Sequence, residues 1–137
     1  MTSVVVFVVL TIGPVFSAKQ DIRPLEAAIL SEKIYECISK SSVINSDFNL
    51  DNCFKEEQYY VNASLMSFDS NIHKEIIKGS IITGVNCRLV GEGKEMEKYP
   101  FCLHQTYYVL IDNAGKTEKG KLELQVGVEK YDSNINY

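Results

Sequence analysis

The chain has 137 residues, 45% of them hydrophobic and 23% charged, with a formal net charge of −4 at pH 7. That length holds one domain with one modest hydrophobic core. The negative charge and the scatter of the basic residues exclude phosphate-backbone binding, which needs clustered Lys and Arg, so no nucleic-acid partner is expected.

The first stretch, MTSVVVFVVLTIGPVFSA, carries no charged side chain. Val4 to Leu10 form an apolar run, Gly13-Pro14 breaks it, and small residues end it. This is the pattern of a signal peptide, and a cut after Ser17 places Val15 at the −3 position. An uncleaved anchor is the alternative, but a membrane span needs about 20 apolar residues and this run is shorter. The expectation is a signal peptide over residues 1–17 and a single domain over 18–137, secreted and without membrane contact once the leader is removed.

Residues 24–41, PLEAAILSEKIYECISKS, predict a helix. Pro24 suits the first turn, and Ala27, Leu30, Ile34, Cys37, Ile38 and Ser41 recur at helical spacing. Glu26, Glu32, Lys33 and Lys40 line the other face. Residues 46–68 are ambiguous. Leu50, Phe54, Val61, Leu65 and Phe68 make a helical stripe, while Tyr59-Tyr60-Val61 and the alternation at 61, 63 and 65 suit a strand. The reading adopted is a short helix or turn followed by a strand from about Glu57. Asn62-Ala63-Ser64 is an N-glycosylation sequon, which has meaning only in the secretory pathway.

The second half reads as strands. Residues 101–111 place Phe101, Leu103, Tyr107, Val109 and Ile111 on one side. Residues 119–130 alternate without a break, with Leu122, Leu124, Val126 and Val128 on one face and Lys121, Glu123, Gln125, Gly127 and Glu129 on the other. Between them DNAGKTEKG supplies a turn with a solvated tip. Upstream, VNCRLV (85–90) and PFCLHQ (100–105) flank GEGKEMEKY. Antiparallel pairing about Lys94 and Glu95 sets Cys87 opposite Cys102, close enough to bridge. Four cysteines in a small secreted chain read as two disulfides, so Cys37 pairs with Cys53. One helix followed by about four antiparallel strands predicts an α+β fold, with the helix packed across one face of the sheet.

Two stretches resemble the cystatin superfamily over roughly residues 74–128. Ser80, Ile82 and Gly84, followed by Val85-Asn86, are similar to the Gln-x-Val-x-Gly hairpin of secreted cystatins. Phe101, Cys102, Gln105, Tyr107 and Val109 are similar to the family's Phe-Cys strand, with Leu110-Ile111 standing where the family has Pro-Trp. The resemblance implies a helix on a curved antiparallel sheet. It also implies a wedge that blocks papain-like cysteine proteases reversibly without being cleaved. Carried onto this chain, the protease-binding residues are Ser80, Ile81, Ile82, Thr83, Gly84, Leu110 and Ile111. Ile81 to Gly84 are uncharged, and the glycine permits a tight turn. Three departures weigh against tight inhibition: Ser80 lacks the glutamine amide, the chain has no tryptophan, and no glycine lies between the cleavage site and Gly79.

No enzyme is expected, because all four cysteines are assigned to disulfides and the carboxylate groups at Glu56-Glu57 and Glu92, Glu95 and Glu97 read as solvated turns. His73 and His104 sit in no metal-ligand spacing, so no metal or other cofactor is expected. The alternative function, from a different class, is a non-inhibitory secreted binding protein for a small apolar ligand or a receptor. Geometry separates the two: a wedge needs Ile81–Gly84 and Leu110–Ile111 at one end of the sheet, whereas ligand binding needs a cavity between helix and sheet.

Overall fold

A computed structural model describes residues 21–53, 58–90 and 99–130, apart from the side chain of Val90. The expected signal peptide and the expected turn at Lys94 and Glu95 lie outside the described residues. The elements are α1 (Arg23–Ile38), β1 (Ser39–Lys40), β2 (Val43–Asn45), β3 (Tyr59–Ser67), β4 (His73–Gly79), α2 (Ile81–Val90), β5 (Phe101–Asn113) and β6 (Lys116–Val128). The class is α+β, as the sequence predicts. The sheet has six strands instead of four, in the order β1-β2-β5-β6-β3-β4. It is mixed, since β2 runs parallel to β5 while the other pairs are antiparallel.

The extra strands are those that propensity reads least well. β1 and β2 have 2 and 3 residues. β4, HKEIIKG, is a sheet edge whose lysines interrupt any apolar alternation. The ambiguous 46–68 segment resolves as turns over 46–53 and then β3 from Tyr59.

Alternation gives the sheet two distinct faces. On the inner face Val61 pairs with Val126, Ala63 with Leu124 and Leu65 with Leu122. Leu103 and Tyr107 lie in the same rows on β5. α1 covers this face with Ala27, Leu30 and Ile34, and Phe48 and Leu50 from the 46–53 turns fill the rest of the core. The helix begins where Pro24 sets the backbone angle and Asp21 accepts from the Arg23 amide at 3.1 Å. Arg23 Nη1 then donates to the Tyr99 carbonyl at 2.8 Å, tying α1 to the chain just before β5. A polar seam also joins helix and sheet: Gln105 Oε1 accepts from Ser31 Oγ at 2.7 Å and from the Tyr107 hydroxyl at 2.6 Å.

The structure corrects the expected hairpin over 80–89. β4 stops at Gly79, whose φ of +87° is a left-handed conformation open to glycine. Ser80 follows as a cap: its hydroxyl accepts from the Thr83 amide at 3.3 Å, and the Gly84 amide donates to the Ser80 carbonyl at 3.1 Å. The chain therefore turns into α2. Ile81 and Ile82, read as a β-branched strand, are its first two residues.

Both expected disulfides are present, Cys37–Cys53 with Cα atoms 5.7 Å apart and Cys87–Cys102 with Cα atoms 5.6 Å apart. The second joins a helix to a strand, so the cysteines are partners for a reason other than the antiparallel pairing expected of them. Among the described residues no helix is long and apolar enough to cross a membrane.

Candidate functional site

Among the described residues, α2 covers the outer face of the sheet at one end. At that end Tyr60 on β3, Cys102 on β5 and Gly127 on β6 form a shallow seat. A Cβ at Gly127 would stand 2.8 Å from Thr83 Cγ2 and 2.9 Å from Cys87 Sγ. A methyl at Gly84 would be driven into the Tyr60 ring. Two glycines thus let helix and sheet approach at backbone distance, and the Cys87–Cys102 bond fastens them there. Thr83, wholly buried, has its hydroxyl 2.8 Å from Ser80 Oγ and donates to the Glu129 carboxylate.

This seat inverts the usual partition of a surface helix. Among its described side chains α2 buries Thr83, Gly84 and Cys87, which are small or polar, and exposes Ile81, Ile82, Val85 and Leu89. Ile81 is 77% exposed, Ile82 72%, Val85 49% and Leu89 78%. At 100° per residue these four fall within one stripe about 100° wide, opposite the buried three. Arg88 and Asn86 flank the stripe. In an ordinary amphipathic helix such a stripe faces the core. Here it faces outward on a helix fixed in place by a disulfide.

Of the seven residues carried over from the resemblance, five fall at this end and two do not. Ser80 caps α2, Ile81 and Ile82 open its apolar stripe, and Thr83 and Gly84 are buried against the sheet. Leu110 and Ile111 lie near the opposite end of β5. Tyr59 and Phe101 both pair with Val128, so they mark the α2 end. Leu110 is nine residues further along, about 30 Å at the rise of a strand. Ile111 is fully buried in the core beside Ile44, and Leu110 is partly exposed on the outer face, in the row of Lys119. The two halves of the expected wedge do not come together. Val85 and Leu89 were missed as surface residues. The signal was present: Ser80 after Gly79, followed by apolar residues at 81, 82, 85 and 89, is capped helical spacing.

Elsewhere the outer face mixes polar residues with exposed Ile77, Tyr108 and Leu110. Asn62 lies in the middle of β3, half-buried, its Nδ2 donating to Glu75 Oε1 at 2.7 Å. His73 Nε2 is 3.2 Å from Ser64 Oγ, and His104 lies exposed on β5. Among the described residues no three His, Cys, Asp or Glu side chains converge to hold a metal ion. Towards the far end Phe68 and Tyr108 are exposed, with ring centroids 6.5 Å apart. Inside, burial raises the pKa of the Tyr107 hydroxyl, which sits among Ser31, Glu32 and Gln105. Those groups satisfy one another and act as structural ties.

Comparison with family models, with characterised proteins and with solved structures returns no match for this chain. None of the three therefore identifies a cystatin relationship.

Proposed function

We propose that the protein is a secreted, non-enzymatic binding protein that inserts the apolar stripe of α2 into a groove on a partner protein. The observation carrying this reading is the inverted burial of α2, with Ile81, Ile82, Val85 and Leu89 outward and Gly84 and Cys87 inward. Ile82, Val85 and Leu89 stand at i, i+3 and i+7, the spacing of anchors in a helix-in-groove complex. Burying four such side chains contributes up to about 6–10 kcal/mol. That is of the order of the rigid-body cost of association, about 4–15 kcal/mol, so the contacts around the stripe decide the affinity. The disulfide at Cys87 limits the further loss, because the helix is ordered before it binds. Two disulfides support an extracellular setting. A glycan on Asn62 would displace the bond to Glu75 and sit on the outer face, two residues along β3 from the Tyr60 seat of α2.

A photoreactive amino acid in place of Ile82, with Thr106 as the control position, tests the reading in the protein's own extracellular fluid. The expected result is an adduct from position 82 that excess wild-type protein competes away and an Ile81→Glu/Leu89→Glu variant does not. Equal adducts from both positions, or none that is competed, contradict it. A papain-like cysteine protease is the first partner to assay, since Ile81 and Ile82 are the most exposed of the seven residues carried over from the cystatin resemblance. Saturable inhibition of papain that Ile82→Glu abolishes would make its cleft the groove. No inhibition at micromolar concentration would place the partner outside that protease class.

A further inference from the structure

The two disulfides differ in access. Cys87 is 2% exposed and Cys102 8%, both against Tyr60, whereas Cys37 is exposed and Cys53 half-buried. Thiol–disulfide exchange needs the attacking sulfur to reach along the bond, so access separates the two kinetically. Cys37–Cys53 also holds something. It ties the last turn of α1 to the segment Ser46–Cys53, whose Phe48 and Leu50 are buried against Ile44, Leu65 and Ile111. Besides that burial the segment is held only by weak polar ties among the described residues: the Ser46 amide to the Asp112 carbonyl at 2.9 Å, and surface ion pairs from Lys74 to Asp47 and from Lys78 to Asp51.

We propose that Cys37–Cys53 is a thiol-exchange site for a dithiol reductant, which opens it while Cys87–Cys102 stays closed and so loosens Ser46–Cys53 from the inner face. The reductant's thiolate attacks Cys37 Sγ, the Cys37–Cys53 bond breaks, and Cys53 leaves as a thiolate and takes up a proton. The helix supports this order, because the negative end of the α1 dipole disfavours a thiolate at Cys37. The second thiol of the reductant then attacks the mixed disulfide, Cys37 leaves and is protonated, and the reductant departs as its own disulfide. Two electrons and two protons pass to the protein. The binding stripe of α2, held by the other disulfide, is untouched.

Graded dithiothreitol on the oxidised full-length secreted protein, at neutral pH without denaturant, tests this. Trapping with iodoacetamide and peptide mapping would give Cys37 and Cys53 modified at least about tenfold faster than Cys87 and Cys102. Hydrogen exchange at the trapped stage would accelerate over 46–53 while β5 and β6 stay protected. Equal rates at all four cysteines, or earlier opening of Cys87–Cys102, overturn the proposal. So does a reduced Cys37–Cys53 pair with exchange over 46–53 unchanged.

Discussion

Gly84 of α2 rests on the ring of Tyr60, with no room between them for a methyl group. Alanine is the better helix former by about 1 kcal/mol. Overpacking a filled contact costs about 1–3 kcal/mol, and the Tyr60 ring is buried and cannot swing aside. Gly84→Ala is therefore expected to destabilise the protein despite its helix propensity. Urea unfolding would read the loss. Tyr60→Leu, which removes the ring, should make the two changes together cost less than their sum.

Ser80 stands between a strand and a helix, and its side chain decides where one becomes the other. Ser80→Ala removes the acceptor for the Thr83 amide and one partner of the Thr83 hydroxyl. A lost cap costs about 1 kcal/mol. The expected effect is local: faster hydrogen exchange in the first turn of α2, with β3, β5 and β6 unchanged.

Removing Cys87–Cys102 tests whether α2 is seated by the bond or by its contacts. The described residues that α2 buries, Thr83, Gly84 and Cys87, are small, so they bring little hydrophobic attachment of their own. Cys87→Ala/Cys102→Ala is expected to cost about 3 kcal/mol for a loop of this length. It should also free α2 from the sheet, exposing Tyr60 to solvent. Retained protection across α2 in that variant would show that the contacts suffice.

Much of this fold was legible because the hydrophobic period and the burial agree. Leu122, Leu124, Val126 and Val128 face inward as their alternation predicts, and Ala27 and Ile34 of α1 pack on them. The reading failed at α2 because the same residues satisfy two patterns. Ile81, Ile82 and Val85 favour a strand by propensity, yet 81, 82, 85 and 89 repeat at helical spacing, and Ser80 after Gly79 decides between them. The similarity to a cystatin hairpin reinforced the strand choice. Cys87 was rightly joined to Cys102, but through a helix crossing the sheet face and not through a neighbouring strand. That Leu110 and Ile111 lie far from Ile81 depends on the direction of β5 relative to β4, which no local pattern encodes.

Acid should loosen the turn after β3. Glu118 is 4% exposed and accepts from Ser67 Oγ at 2.9 Å and Ser70 Oγ at 2.6 Å, and Lys116 lies 3.3 Å away. The Ser70 and Ser67 hydroxyls, and then Lys116, hold its carboxyl below the ordinary 4.5. A carboxylate with a depressed folded pKa stabilises the fold above its unfolded pKa. That stability is lost as pH falls from about 4.5 through the lower folded value. Glu118→Gln should flatten the decline of stability over that range, measured by urea unfolding from pH 6 to pH 3.

The outward stripe of α2 is the centre of the account, and the unfolding midpoint of Ile81→Glu/Leu89→Glu tests it most directly. Two charges placed on exposed positions should leave stability within about 0.5 kcal/mol per site of the wild type. A loss of several kcal/mol would mean that these side chains are buried in the folded protein, and α2 would then have no apolar face to offer a partner.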